Sequence, residues 1–523
     1  MNCKRNLLLI SIIGFLGSHV FAQNVMVGDD HEPNEPSIMM DPNNPNILVA
    51  ATNLNLYYYS SDMGHTWTSN KLSSPYGVWG DPVIDVDEEG NFYFFHLSNP
   101  PDGEGNFIDR IVCQKSNDAG KSWSAGTFTG LNGTKVQDKQ WSVIDRNNNN
   151  IYLTWTQFDK YMSTDPGCQS VILFSKSTDG GDTWSEPNKV SVIAGDCRDD
   201  DNTVEGAVPA VGPSGEIYVT WAGPNGLVFN RSLDQGETWL SQEILIDKMP
   251  GGWNYKIPGI YRANGMPITK CDLSGGANHG TIYVNWSDQR NGWSDTDIWL
   301  TKSTDGGITW TDAVRVNNDD TKRHQFFTWM DIDQTNGNLA FVFYDRRNYE
   351  GNYTDVYFAY SDDGGATFLN KKISDSPFLP VKSIFFGDYT NIVAHNNIIR
   401  PIWTRLHEGQ LSIWTELTPL ETNLVVGNDA LTSTQTNQIK QYPNPAAQMS
   451  YVSFKLHTTS NVSLSLFDQE GRMISAIMNN EKMEYGKYII PINVSELKLT
   501  DGIYFAKLLI NDTPKTIKIV VLK

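Results

Sequence analysis

Ser303-Thr304-Asp305-Gly306-Gly307-Ile308-Thr309-Trp310 is one of six octapeptides of the form Ser-x-Asp-x-Gly-x-Thr/Ser-Trp/Phe, and their recurrence decides the fold. The others are Ser60–Trp67, Ser116–Trp123, Ser177–Trp184, Ser232–Trp239 and Ser361–Phe368; taken in order, the six start 56, 61, 55, 71 and 58 residues apart. Six copies at near-constant spacing are an internal repeat, and a repeat of this length is read before any single element. Its chemistry is that of a turn. The Asp side chain bonds nearby backbone N–H groups, the Gly allows a positive φ, and the closing aromatic packs between neighbouring sheets. A second repeat precedes each box: an apolar stretch, a Pro/Asn/Gly turn, then a strand rich in β-branched and aromatic residues, as in Glu205–Val211 with Ile217–Ala222. There are seven such copies, the last being Asp388–Ala394 with Ile399–Thr404, followed by one more strand, Leu411–Leu417, and no box. The missing outer strand is supplied by Gln23–Val27. The expectation is an all-β, seven-bladed propeller over residues 23–420, with six blades as the alternative.

Charge narrows the partners. The 523 residues hold 40 Lys+Arg against 60 Asp+Glu, a net charge of −20. Residues 1–22 and 441–523 each carry +2, so the middle carries about −24 by difference. Such a surface repels phosphate backbones and anionic lipids, which excludes nucleic acid as a partner. Lys4 and Arg5 precede an apolar run from Leu7 to Ala22, the pattern of an export signal over residues 1–22, and no later run is long enough to span a membrane. Export permits disulfides, and Cys168 with Cys197 is the first pair to test. No CxxC or HExxH spacing is present, so no metal site is assigned.

The octapeptide resembles the Asp-box of the sialidase-type (BNR-repeat) β-propellers, and the resemblance covers about residues 24–420. It implies that Asp62, Asp118, Asp179, Asp234, Asp305 and Asp363 are structural, on the face away from the active site. From Gln441 the texture changes to short alternating strands with Tyr442-Pro443-Asn444-Pro445, Gly471-Arg472 and Gly502-Ile503-Tyr504. This order resembles the C-terminal sorting domain of type IX secretion substrates. It implies a β-sandwich over 441–523 behind a linker at 421–440, the type IX machinery as a partner, and delivery to the cell surface or medium.

The chemistry is expected where the inner strands begin. Glu35, Asp81, Lys139, Gly206 (beside Glu205), Met266, Phe327 and Asp388 occupy that position in the seven copies. Carboxylates converging on one channel mouth suit a bound cation such as Ca2+, a basic partner, or acid/base chemistry with raised pKa. Arg290, Arg346 and Arg405 end successive second strands and are expected to clamp a substrate carboxylate or sulfate. Trp79, Trp141, Trp253, Trp293 and Trp329 are candidate sugar-stacking or core aromatics. The sialidase resemblance matches Tyr389 to the nucleophile and Glu205 to its activating partner. Glu35-Pro36-Ser37 stands where that family has Arg-Ile-Pro, and Asn53-Leu54-Asn55 and Trp221-Ala222-Gly223 replace its acid/base Asp and a further Arg. The candidate catalytic set is therefore Tyr389, Glu205 and Asp81. The substrate-binding set is Arg290, Arg346, Arg405, Asp388, Glu35, His324 and Trp141. The expected function is a sialidase-superfamily-like glycoside hydrolase acting on extracellular glycans. The alternatives are a non-catalytic glycan- or protein-binding propeller, and a polysaccharide lyase using a Tyr389/His324 pair.

Overall fold

A computed structural model describes residues 24–100, 107–417, 439–442, 445–456, 459–483, 486–511 and 513–522. The expected signal segment, Gln23, linker residues 421–438 and Pro443-Asn444 lie outside the described residues. The described residues form strands, turns and bends, with no helix among them, and hence none long and apolar enough to cross a membrane. The chain divides into two compact units between Pro419 and Leu420.

In the first unit the described residues form seven four-stranded antiparallel sheets and one two-stranded ribbon. The seven first strands are Ser37–Met40, Gly80–Val86, Val136–Asp145, Glu205–Val211, Ile268–Cys271, Gln325–Asp333 and Asn391–His395. Each touches the next, and the seventh touches the first, so they close a ring around a central channel. This is a β-propeller. Six sheets run inner to outer in chain order, whereas the last has Asn24–Gly28 as its outer strand, paired with Gln410–Glu416. Second strands such as Phe92–Leu97 and Ile217–Gly223 are buried throughout, because both faces of each sheet are covered by neighbours. They read accordingly as continuous β-branched and aromatic runs rather than as alternation. Trp155, Trp221, Trp286 and Trp403 recur at matching points of these strands and are fully buried.

The octapeptides do what their chemistry requires. In Ser177–Trp184 the Ser177 hydroxyl donates to Asp179 (2.8 Å) and accepts from Gly181 N–H (2.9 Å), while Asp179 accepts from Thr183 N–H at 2.9 Å. The same bonds recur around Asp62, Asp118, Asp234, Asp305 and Asp363. Bonds from Ser232 and then Thr238 draw Asp234 down to about 2, as a carboxylate collecting donors must be. The fifth-position glycine is needed twice over. Gly236 has φ +87°, and a Cβ there would overlap the Phe174 ring of the preceding sheet. The closing aromatic also reaches that sheet: Trp184 lies edge-on to Phe95 (6.1 Å) and donates to Thr127 (3.0 Å), and Trp239 does the same with Phe174 and Asn188.

The second unit holds a three-stranded sheet (Ile439–Tyr442, Met449–Leu456, Gly486–Asn493) and a four-stranded one (Met473–Met483, Ser460–Phe467, Gly502–Ile510, Thr513–Val521). Val452, Phe454, Leu464, Leu466, Ala506, Leu508 and Ile519 join both in one core. Alternate residues of Ser460–Phe467 are buried, the period of a sheet with one covered face.

Because Trp184 is only half-buried, Trp184→Ala should destabilise the propeller by about 2–3 kcal/mol, below the 3–5 kcal/mol of a core tryptophan. Chemical denaturation read by tryptophan fluorescence checks this. Ligand binding per folded molecule should not change.

Candidate active site at the mouth of the ring

Four inner strands begin with the same irregularity. Pairing with the second strand skips two residues between Gly80 and Val83, Asp138 and Trp141, Glu205 and Val208, and Phe326 and Trp329. The first skipped residue has positive φ each time: Asp81 49°, Lys139 50°, Gly206 73° and Phe327 50°. These are β-bulges, which bend a strand and re-aim its side chains. Holding a side chain in that region costs ~1–3 kcal/mol, a cost that clusters at functional sites. Glu35 (φ 52°) stands at the equivalent point before the first inner strand.

The re-aimed groups meet in one ion cluster. Lys139 Nζ donates to Asp388 (2.9 Å) and Asp81 (3.2 Å), joining three sheets through a buried cation. Arg262, carried by the Asn254–Asn264 insert, donates from Nε to Asp388 Oδ1 at 2.8 Å and from Nη2 to Asp388 Oδ2, and lies 3.6 Å from Asp199. Burial alone would raise Asp388, but Lys139 and Arg262 hold it well below the usual carboxylate range. Glu35 accepts from Asp388 N–H (3.1 Å) and from Asn53. Burial, reinforced by Asp81 and Asp388 against Lys139, pushes Glu35 well above the ordinary carboxylate range.

A second group of acids adjoins the first. Glu205 is fully buried, and neither of its oxygens accepts from a protein N–H or O–H. Burial, followed by the nearby Asp199 and Asp138 carboxyls, raises Glu205 well above the ordinary carboxylate range. Tyr161 donates to Asp199 at 2.7 Å. Asp138 is pushed up to about 7, by burial first and then by Asp81 and Asp199 against Lys139 and Arg262. Cys168 is bonded to Cys197, and the bond tethers the segment that carries Asp199. Closing its 29-residue loop contributes about 3–4 kcal/mol.

Aromatic rings floor and rim the cluster. Trp141 lies 4.4 Å from Trp329 and 5.1 Å from Tyr389, closing the channel. Between them, Lys139, Met266, Phe327 and Asp388 remains a cavity of about 20 Å³, room for one water-sized group. At the rim Trp79 meets Phe107 (5.4 Å), and Tyr261 meets Phe385 (6.0 Å), with Arg262 over the Phe385 ring. Trp79 and Phe107 are each 42% exposed and Tyr261 59%, leaving ring surface free for a ligand. A hollow of about 750 Å³ lined by Val192, Ile193, Leu245, Met249 and Trp253 shares no residue with the cluster.

Several sequence expectations are corrected by this geometry. The three arginines do not form a clamp. Arg290 is bound to Asp288 and Asp247, Arg346 to Thr354 and the Pro258 carbonyl, and Arg405 to Ser376. Each is held by groups near its own strand end, although Arg346 Nη2 and Arg405 Nε are buried without a partner. Tyr389 is not paired with Glu205. Its charged neighbours are Glu35, Asp81, Lys139 and Asp388, and burial with the three acids raises its phenol well above the ordinary value, opposite to an activated nucleophile. Tyr389 Oη is shielded and has no protein partner. His324 pairs with Thr296 (2.9 Å) beside Arg346, lowered to about 4 by burial and then Arg346, and does not share the neighbours of Tyr389. Trp253 is buried core and Trp293 is 80% exposed. Sequence reasoning missed Arg262, Asp138, Asp199 and Tyr161. The one available signal was the 71-residue interval between the fourth and fifth boxes, whose excess length houses Arg262. Among the described residues no group of three or more His, Cys, Asp or Glu side chains is placed to hold a metal ion.

Comparison with known proteins adds one family. Residues 440–522 match the model of the Secretion system C-terminal sorting domain, so the chain is exported by the type IX route to the cell surface or the medium. No curated protein matches the chain. Among solved structures, a Hadza microbial sialidase is 14% identical over 72% of this chain and 75% of its own, with a TM-score of 0.39. An α-L-arabinofuranosidase from Fusarium graminearum is 12% identical over 76% and 97%, at 0.42. The NanB sialidase from Streptococcus pneumoniae is 10% identical over 71% and 83%, also at 0.42. Likenesses this distant say nothing of substrate.

Two outcomes follow from the charges. Lys139→Met should cost about 3–5 kcal/mol, because Asp81 and Asp388 then face each other without their shared cation. The raised Asp138 favours folding below its unfolded value near 4, and that contribution is lost as pH climbs through about 7. Asp138→Asn should therefore remove a fall in stability on the order of 3 kcal/mol between pH 5 and 8. Thermal unfolding of both variants across that range is the check.

Proposed function

We propose that residues 23–420 form a seven-bladed propeller, exported behind a cleaved signal (1–22) and joined by a linker (421–440) to the sorting domain (441–523). We infer further that it is a glycoside hydrolase acting on extracellular glycans. One observation supports this above the rest: a single aromatic-rimmed mouth gathers carboxyls in unlike settings, Asp388 bonded to Lys139 and Arg262, and Asp138 and Glu205 raised by burial. Glycosidic hydrolysis needs one carboxyl to give a proton to the leaving oxygen and another to activate water or attack carbon. Asp138 suits the acid, being protonated near neutrality. Asp199, partly exposed and held by Tyr161, suits the base. Asp388 is spent on orienting Lys139 and Arg262, and Asp81 steadies Lys139 beside Asp138. Tyr389 braces Trp141.

A non-catalytic glycan-binding propeller is the second reading, favoured by the shielding of Tyr389 Oη and Glu205. An assay of neutral, basic and acidic glycans separates the two. Asp138→Asn should lower turnover by roughly 10²–10⁴-fold, the range for a lost general acid, with binding kept. Tyr389→Phe should change turnover far less. Equal rates for wild type and Asp138→Asn would remove the acid assignment. Binding with no turnover by wild type would establish the second reading.

A further inference from the structure

Asp199 reaches the mouth from outside the sheets, on a turn over residues 196–203 that precedes the inner strand Glu205–Val211. Its φ is 58°, a region that a side chain occupies at a cost, so its surroundings must hold it there. The turn closes on itself, Asp196 N–H donating to the Asn202 carbonyl (2.9 Å) and Thr203 N–H to the Asp200 carbonyl (2.8 Å). Facing it is the loop between Asn150–Phe158 and Ser170–Ser177, which carries Tyr161. Loop and turn are joined at their foot, where Ser170 and Gly195 exchange backbone bonds of 2.9 and 3.0 Å. Beyond the foot two bonds cross between them among the described residues. One is the Cys168–Cys197 disulfide, and the other runs from the Tyr161 hydroxyl to Asp199 Oδ2 at 2.7 Å. Arg262 Nη1 lies 3.6 Å from the same oxygen. Cys197 stands two residues from the strained Asp199, and Met162, beside Tyr161, has φ 60°. The covalent bond therefore pins both halves of the Tyr161–Asp199 contact.

We propose that Tyr161 is the positioning residue for Asp199 and that the Cys168–Cys197 bond is a redox switch that sets the pair. The inference rests on the hydrolase reading above, in which Asp199 is the base, and names the regulation of that site. The chain is made where thiols stay reduced and is exported to where disulfides form. Before export, loop and turn are joined at their foot alone, and Asp199 relaxes away from Tyr161. After export Cys168 and Cys197 give two electrons and two protons to the disulfide of an exchange partner, which leaves as a dithiol. The new bond draws the phenol onto Oδ2. An external dithiol reverses the step. Its thiolate attacks the sulfur of Cys168, which is 8% exposed against 0% for Cys197, and Cys197 leaves as a thiolate and takes a proton. The second thiol of the reductant then closes on the first and releases Cys168.

The test compares the full chain oxidised, reduced with dithiothreitol and reoxidised, together with oxidised Tyr161→Phe. Among the described residues the reductant has one target, since Cys113 and Cys271 are free thiols. Hydrogen exchange of the amides at 196–204 is read beside turnover of neutral, basic and acidic glycans. Reduction should speed that exchange by about tenfold and leave the octapeptide turns unchanged, and Tyr161→Phe should speed the same amides with the disulfide intact. In both, kcat should fall by about tenfold with KM kept, and reoxidation should restore the reduced protein. A crosslink that only stabilises would lower the melting temperature and leave kcat per folded molecule unchanged, which overturns the proposal. So does wild-type kcat in Tyr161→Phe, or exchange at 196–204 that neither change speeds. Turnover that survives reduction removes only this inference. If oxidised wild type turns over no glycan, the hydrolase reading falls and exchange alone decides the switch: acceleration by both changes upholds it, and acceleration by one or neither overturns it.

Discussion

The pairing of Asn24–Gly28 with Gln410–Glu416 closes the ring, and the rest of the molecule depends on it. A four-stranded sheet packed on one side only would expose an apolar face and an unpaired edge. With the last sheet built from both ends of the propeller, each sheet has two neighbours and the faces are covered. Asn24 reinforces the closure, donating to Glu416 (2.6 Å) and to the Ile373 carbonyl (2.7 Å) and accepting from Asp375 N–H (2.8 Å), which ties the sixth sheet to the seventh. The octapeptides complete the scheme at the opposite end of the strands, where glycine and tryptophan set how closely each sheet approaches the one before.

Closure has an electrostatic consequence. Once inner strands converge, the side chains at their starts share one small volume, and bulges turn several of them inward. Carboxyls from sheets that are distant in sequence are then forced together with little water. Lys139 answers part of that repulsion from the centre, and Arg262 answers more from the rim. Two cations among six acids leave a remainder, and the crowding shows as upward shifts at Glu35, Asp138 and Glu205. The capacity for proton transfer thus arises from the same crowding that Lys139 relieves.

Much of the propeller could be read from the chain because its determinants are local and repeated. Asp179 bonds to Thr183, four residues away, and Gly181 needs its own φ, so the octapeptide announces its turn without reference to the rest of the fold. The strand starts were legible for the same reason: Glu35, Asp81, Lys139 and Asp388 were found by aligning copies, and the structure gathers those four. The pairing of Cys168 with Cys197 was legible once export was recognised. Arg262 was not, because it belongs to no repeat and sits in an insert whose path is set by what it packs against.

The arginines mark the boundary most clearly. From spacing alone Arg290, Arg346 and Arg405 stand at equivalent strand ends and ought to converge, yet each is retained by a partner two to thirty residues away in its own sheet or the adjoining loop. Tyr389 likewise holds its expected place on the last inner strand and has Glu35 and Asp81 beside it instead of Glu205. The amino-acid sequence by itself determined the class of fold, the turns, the strand order and which residues begin the inner strands, since each follows from short-range chemistry and periodicity. Only the tertiary structure decided which of those residues share a charge, a proton or a ring contact. Such pairings depend on distances across a closed ring, and a linear spacing does not contain them.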